Sequence, residues 1–204
     1  MDRYLRDEAL VFMPLHPNQH SYEAGKSVEM ALHQLIVRVE KVLDQQETAL
    51  GVFLDIEGAF NNTCYDTMCN ALVRHCSDYT IVWWIRATLL GCGDHQWIFY
   101  EACNIQGLPT EGVLSLLLWC LVVDDLLARG SGNGVFIQGY ANDLCLLAVS
   151  KFPNTVSGPM QWALLTVETW CNEVRLSVNP DKTGLVGFTR KRKLPGFFEP
   201  QGLN

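Results

Sequence analysis

Apolar residues between positions 28 and 43 recur with the spacing of one face of an α-helix. They are Val28, Ala31, Leu32, Leu35, Ile36, Val39, Val42 and Leu43. Ser27 stands just before this stripe, where a serine hydroxyl can cap the first turn. The pattern therefore predicts an amphipathic helix that begins directly after Ser27.

Shorter apolar runs predict strands. Residues 48–55 are mostly apolar and end in a carboxylate, which is typical of a buried strand. Residues 135–149 hold two β-rich segments on either side of Ala141-Asn142, the pattern of a hairpin. Short strands are predicted over 176–178 and 185–188, and the turn Asn179-Pro180-Asp181-Lys182 separates them.

The remaining apolar segments predict helices over residues 62–76, 80–90, 112–127 and 156–172, with a short hairpin over 95–105. The longest apolar run, Val113 to Val123, has eleven residues, which is too short to span a membrane. Asp124-Asp125 follows it, and we expect this pair to form the solvated end of the helix. The order of elements favours an α+β fold with helices on one face of an antiparallel sheet.

Composition narrows the function classes. The chain has 204 residues, of which 49% are hydrophobic, and a formal net charge of −7. A negative net charge is the wrong sign for a protein that binds the phosphate backbone of nucleic acid over most of its surface. Contact with nucleic acid must therefore be local. Residues 190–193 are all basic, and they could contact a nucleic-acid backbone, act as a nuclear-import signal, or form a solvated tail.

Cysteine usage and the N-terminus indicate the compartment. The eight cysteines include no C-x-x-C pair, which suits reduced thiols. A zinc site from Cys64, Cys69 and either His75 or Cys76 is conceivable, although the spacing matches no standard pattern. The charged N-terminus argues against a signal peptide. We expect an intracellular protein, cytoplasmic or nuclear, that is not secreted and does not enter a membrane.

Two predicted elements carry acids at their ends, Asp55 on the strand and Asp143 in the hairpin. If both elements join one sheet, the carboxylates meet at one edge and can share cations. Two-metal phosphoryl transfer requires such oxygen ligands around Mg²⁺ ions that lie roughly 3.5–4 Å apart. The alternative is that Asp143 only forms a turn and Asp55 only caps a helix.

Four segments carry a family resemblance: FLDIEGAF (53–60), GLPTEGVLS (107–115), YAND (140–143) and NPDKT (179–183). Their order and separation resemble the core motifs of reverse transcriptases from LINE-type, Jockey-like non-LTR retrotransposons. QHSYEAGKSVEMALHQ (19–34) and LWCLVVDDLL (118–127) extend the resemblance over nearly the whole chain, from about residue 14 to 193.

The resemblance implies a reverse-transcriptase palm, a ferredoxin-like antiparallel sheet with helices on one face, together with part of the fingers and no thumb. Residues 1–47 would be the partial fingers and the fingers-to-palm segment, residues 48–189 the palm with the polymerase motifs, and residues 190–204 a basic tail.

The implied activity is RNA-directed DNA synthesis by two-metal nucleotidyl transfer, with Mg²⁺ or Mn²⁺ as cofactor and an RNA template, a DNA primer and a dNTP as partners. Asp55 and Asp143 would bind metal, while Asn142 and Lys182 would complete the catalytic set. The nucleotide-binding residues would be Ile56, Glu57, Phe60, Gly107, Pro109, Gly112 and Tyr140. For Phe60 and Lys182, a core aromatic and an exposed turn lysine are the plain alternatives.

Departures from the family pattern weaken this expectation. Asn142 replaces an aspartate of the hairpin, and its amide brings no negative charge to a metal. Asn61 replaces another acid, and Glu111 adds negative charge in the turn motif. These changes and the expected lack of a thumb predict weak or absent polymerase activity. The alternatives are an inactive retroelement remnant, a non-catalytic module that binds nucleic acid or protein, and self-association through apolar surface that a thumb would cover.

Overall fold

The computed structural model describes residues 2–76, 78–89, 113–132 and 134–190. The helices in chain order are α1 (Asp2–Tyr4), α2 (Leu10–Phe12), α3 (Val28–Asp44), α4 (Tyr65–His75), α5 (Tyr79–Leu89), α6 (Val113–Gly130) and α7 (Ser157–Val174). The strands are β1 (Thr48–Glu57), β2 (Val135–Tyr140), β3 (Asp143–Ser150), β4 (Ser177–Val178) and β5 (Gly184–Phe188).

Most of the predicted elements are confirmed, with small shifts at their ends. Ser27 caps α3 as expected, because its hydroxyl accepts a hydrogen bond from the backbone N–H of Met30 at 3.3 Å. The N-terminal helical segment, in which a π-helical turn over Leu5–Ala9 joins α1 to α2, was not predicted. The hairpin predicted over residues 95–105 lies outside the described residues.

The five strands form one antiparallel sheet with β1 at its centre. Along one side, β1 pairs with β3 from Thr48↔Ser150 to Asp55↔Asp143. Along the other side, it pairs first with β5 and then, at Ile56 and Glu57, with β4. The outer strand β2 completes the hairpin with β3, and its edge pairs with Gln19 in a parallel bridge to Gly139.

Alternate residues of β1 point to opposite faces of the sheet and enter two different apolar clusters. Leu50, Val52 and Leu54 belong to the main core, which also contains the buried residues of α4, α6 and α7. Ala49 belongs to a second cluster on the other face, where Leu35 of α3 covers the sheet.

The prediction that helices lie on one face of the sheet is therefore wrong for α3, whereas the α+β class holds. β1 is buried along almost its entire length, since only Phe53 is half-buried and only Glu57 is exposed. A strand that is apolar on both faces needs cover on both, because leaving either face in water forfeits about 25 cal/mol for each Å² of apolar area.

The six cysteines within the described residues are free and buried. No group of three His, Cys, Asp or Glu side chains in the same residues is arranged to hold a metal ion. The zinc site suggested from Cys64, Cys69 and His75 or Cys76 is therefore not formed. None of the helices in the described part of the chain is both long and apolar enough to cross a membrane.

Candidate active site

Asp55 and Asp143 lie directly opposite each other on the paired strands β1 and β3. The alternation that sends Leu54 into the main core turns Asp55 to the other face, and the same alternation applies to Asp143 before Leu144. Both carboxylates therefore project from one face at one end of the sheet, as the sequence predicted. Asp55 is nearly buried, since only 11% of its side chain is exposed.

A two-residue turn, Ala141-Asn142, holds the hairpin at this end. Ala141 has a φ of +53°, a conformation that costs a residue with a Cβ about 1–2 kcal/mol. Trp119 of α6, which is fully buried, donates its indole N–H to the carbonyl of Ala141 at 2.8 Å. The core helix thereby anchors a strained turn, and the turn fixes the position of Asp143.

Asn142 binds β1 through both its side chain and its backbone. Its amide nitrogen Nδ2 donates to Oδ1 of Asp55 at 2.7 Å. Its carbonyl oxygen accepts a hydrogen bond from the backbone N–H of Ile56 at 2.9 Å. In this arrangement Asn142 presents a donor to Asp55, which an aspartate at the same position could not do at neutral pH.

Lys182 reaches Asp55 from the opposite side of β1. The edge beside β1 is split into β4 and β5, and the turn Asn179–Lys182 leaves the sheet between them. The backbone N–H of Asn179 donates to the carbonyl of Asp55 at 2.8 Å, and the Asn179 side chain caps the turn by accepting from the N–H of Asp181. The Lys182 ammonium consequently lies 3.3 Å from each oxygen of the Asp55 carboxylate.

The charges of these groups are coupled. Partial burial raises the pKa of Asp143, the negative charge of Asp55 raises it further, and Lys182 acts in the opposite direction. The two carboxylates therefore repel each other at neutral pH. A cation placed between them would relieve that repulsion.

The donor set fits a hard divalent cation. Two carboxylates on one face supply the oxygen ligands that Mg²⁺ and Mn²⁺ prefer, and the amide oxygen of Asn142 could join them after rotation of its side chain. The Lys182 ammonium already lies against Asp55, where it supplies the positive charge that the carboxylates require.

The other predicted site residues in the described part surround this edge. Ile56 is buried, and its backbone N–H is used by the hairpin turn. Glu57 is exposed at the end of β1 and accepts a hydrogen bond from the Ser177 hydroxyl at 3.4 Å. Tyr140 ends β2 opposite Asp143. Gly107, Pro109 and Gly112 lie outside the described residues.

Phe60 has a place in the core as well as near the site. It is partly buried in the turn between β1 and α4 and packs against the main core. Its ring lies 5.9 Å from the ring of Trp119, centroid to centroid, at an interplanar angle of 48°. Phe60 therefore supports the same tryptophan that holds the hairpin turn, which partly bears out the plain alternative of a core aromatic.

Two features were missed or misjudged from sequence. The role of Trp119 was not foreseen, because nothing in a buried apolar run marks one member as the donor to a distant turn. Asp124 and Asp125 are not a solvated helix end, since α6 continues to Gly130 and both acids are largely buried. Asp124 pairs with His75 at 3.3 Å and Asp125 pairs with Arg74 at 3.4 Å, so both acids join α6 to α4. Asp125 also pairs with Arg129 of its own helix at 2.8 Å.

Comparison with known proteins agrees with the geometry. The family model described as reverse transcriptase (RNA-dependent DNA polymerase) matches residues 2–197. The probable RNA-directed DNA polymerase from transposon BS of Drosophila melanogaster is 24% identical over 200 residues, which cover 89% of this chain and 21% of that protein. The probable RNA-directed DNA polymerase from transposon X-element of the same organism is 23% identical over 194 residues, which cover 92% of this chain and 21% of that protein. The chain thus spans about a fifth of the length of these curated relatives.

Proposed function

The chain belongs to the reverse transcriptase family, as a domain of the non-LTR retrotransposon type, and on this basis we propose that it carries the catalytic palm of an RNA-directed DNA polymerase. The palm would span residues 48–189, with partial fingers before it and a basic tail after it. The observation that carries the proposal is the Asp55–Asp143 pair on one face of the sheet, with Lys182 bound to Asp55.

The reaction would join a primer 3′-hydroxyl to the α-phosphate of a dNTP, with pyrophosphate as the leaving group and an RNA strand as template. Asp55 and Asp143 would hold Mg²⁺ or Mn²⁺. When bound, such ions supply charge neutralisation at the phosphoryl oxygens and lower the pKa of the attacking hydroxyl.

The remaining residues would orient the reactants. Lys182 is 63% exposed on a flexible side chain, so it can turn from Asp55 towards a phosphate and stabilise the leaving pyrophosphate. Tyr140 would lie near the primer end, and Phe60 would contact the nucleotide sugar. Gly107, Pro109 and Gly112 would shape the loop beneath template and nucleotide.

We further propose that the native chain polymerises slowly. The Asn142 amide contributes no negative charge to the cation site, and its N–H group faces Asp55. Removing one preorganised electrostatic group from an active site typically lowers the rate by about 10²- to 10³-fold. Asn142→Asp should therefore raise the rate of primer extension by about that factor.

Primer extension on an RNA template with Mg²⁺ or Mn²⁺ tests the proposal in four chains: native, Asn142→Asp, Asn142→Asp with Asp55→Asn, and Asn154→Asp. Asn154 is exposed beyond the far end of β3, so its variant adds the same charge away from the site. We expect a large gain for Asn142→Asp alone and its loss when Asp55 is also replaced. Failure of all four chains to extend the primer would refute the proposed activity for this chain.

A further inference from the structure

We propose that Lys182 and Asn142 form a built-in substitute for the divalent cation at Asp55, so that a divalent cation reaches this carboxylate only by displacing the lysine. The inference deepens the proposed function and rests on it, because it concerns the same carboxylate. It assigns the two residues a role in the metal-free protein, before any nucleotide or nucleic acid is bound.

The hydrogen bonds of Asp55 support this inference first. Oδ1 accepts from both the Asn142 amide at 2.7 Å and the Lys182 ammonium at 3.3 Å, and Oδ2 accepts from the same ammonium at 3.3 Å. A carboxylate has about four lone-pair positions, so these contacts use most of them. Because so little of the Asp55 side chain reaches water, these two donors replace the solvent that would otherwise stabilise its charge.

The charge balance supports it next. The ammonium of Lys182 neutralises Asp55 directly, so the metal-free site does not hold two uncompensated carboxylates. An incoming Mg²⁺ or Mn²⁺ would be repelled by this ammonium and would also require Asn142 to turn its oxygen, in place of its N–H group, towards the ion. Both steps weaken the binding of a divalent cation.

The two partners differ in how easily they leave. The Lys182 side chain is 63% exposed and can swing into water without movement of the backbone. Asn142 is held in the turn, where its carbonyl is bonded to the N–H of Ile56. Lys182 is therefore the member of the pair that can leave, whereas the backbone of Asn142 stays in place and only its side-chain amide can turn.

The test measures Mn²⁺ binding, as the loss of the free-ion signal in electron paramagnetic resonance, together with thermal unfolding without metal. The chains are native, Lys182→Met and the control Lys41→Met, which removes the same charge from an exposed position on α3. We expect Lys182→Met to bind Mn²⁺ about three- to tenfold more tightly than the native chain, as suits the loss of one net hydrogen bond from a side chain that is mostly exposed. Without metal it should unfold at a lower temperature, while Lys41→Met should match the native chain in both measurements.

Equal or weaker Mn²⁺ binding by Lys182→Met, including no measurable binding by either chain, would overturn the inference. Lys182→Gln is the second variant, because it keeps a hydrogen-bond donor and removes only the charge, and circular dichroism verifies that each chain is folded. Polymerase activity is assayed separately. A chain that extends no primer but shows the expected change in Mn²⁺ affinity would refute the proposed activity and support the cation substitute.

Discussion

The indole of Trp119 should stabilise the Ala141-Asn142 turn by an amount that can be isolated with a matched pair of variants. Trp119 donates to the carbonyl of Ala141 at 2.8 Å, whereas the indole N–H of Trp170, on α7, has no partner among the described residues. Both side chains are 0% exposed. Replacing either tryptophan with phenylalanine removes the same atoms from the core, so the loss of apolar burial largely cancels between them.

The difference that remains is the hydrogen bond. Trp119→Phe leaves the Ala141 carbonyl without its donor, which typically costs about 1–3 kcal/mol, whereas Trp170→Phe removes an unsatisfied buried N–H. Because Ala141 is only half-buried, water can partly replace the donor, and we expect a difference of about 1–2 kcal/mol. For a chain of this size that corresponds to roughly 2–8 °C in melting temperature.

The assay is urea unfolding followed by far-ultraviolet circular dichroism, which does not depend on tryptophan fluorescence. Equal slopes of the free energy of unfolding against urea concentration verify that both variants expose as much surface on unfolding as the native chain does. If Trp119→Phe proves as stable as Trp170→Phe, or more stable, then the indole does not hold the turn and the argument for its role fails.

Two further substitutions test the electrostatics and the backbone of the site. Asp143→Asn should raise the free energy of unfolding at pH 7 by about 0.2–1 kcal/mol. The pKa of Asp143 is raised in the folded chain, which means that the fold favours the protonated acid. That stabilisation is complete below the ordinary pKa of 3.8 and is lost as the pH rises through the raised pKa, so the charged aspartate destabilises the fold at pH 7. The gain should vanish near pH 3, and thermal unfolding that showed the same gain at both pH values would contradict this. In urea unfolding, Gly58→Ala should lose about 1 kcal/mol more of the free energy of unfolding than Gly25→Ala. Both glycines have positive φ (+64° and +82°), but only at Gly58 would an added Cβ meet a side chain, because it would lie 2.0 Å from Nδ2 of Asn62. Equal losses would show that Asn62 moves aside without cost.

The acid pair was predictable because it depends on local patterns. A mostly apolar run that ends in Asp55 and a two-residue turn before Asp143 place each acid at the end of a strand, and the sheet then brings the two ends together. The turn that carries Lys182 was also predicted, since residues 179–182 separate two short strands. Its contact with Asp55 was not predicted.

The contacts between distant segments were not predictable in the same way. The hydrophobic stripe of α3 shows that one face must be covered, but not which face of the sheet covers it. Asp124 ends an apolar run in sequence, yet its burial depends on His75 from another helix. The direction of the Asn142 amide likewise depends on a residue 87 positions away.

The central position of β1 also has a consequence for how the chain is made. Asn142 and Lys182 follow Asp55 by 87 and 127 positions, and the flanking strands β3 and β5 are equally late in the sequence. At a synthesis rate of about 5–20 residues per second, β1 waits about 6–25 s between its own translation and that of Lys182. Until β3 is made, this mostly apolar strand has neither edge paired, and its second edge stays open until β5 follows. Unpaired edges of this kind associate readily with other unpaired strands. We therefore expect β1 to make its first apolar contacts with α3, which is already synthesised when β1 emerges and covers it in the folded structure.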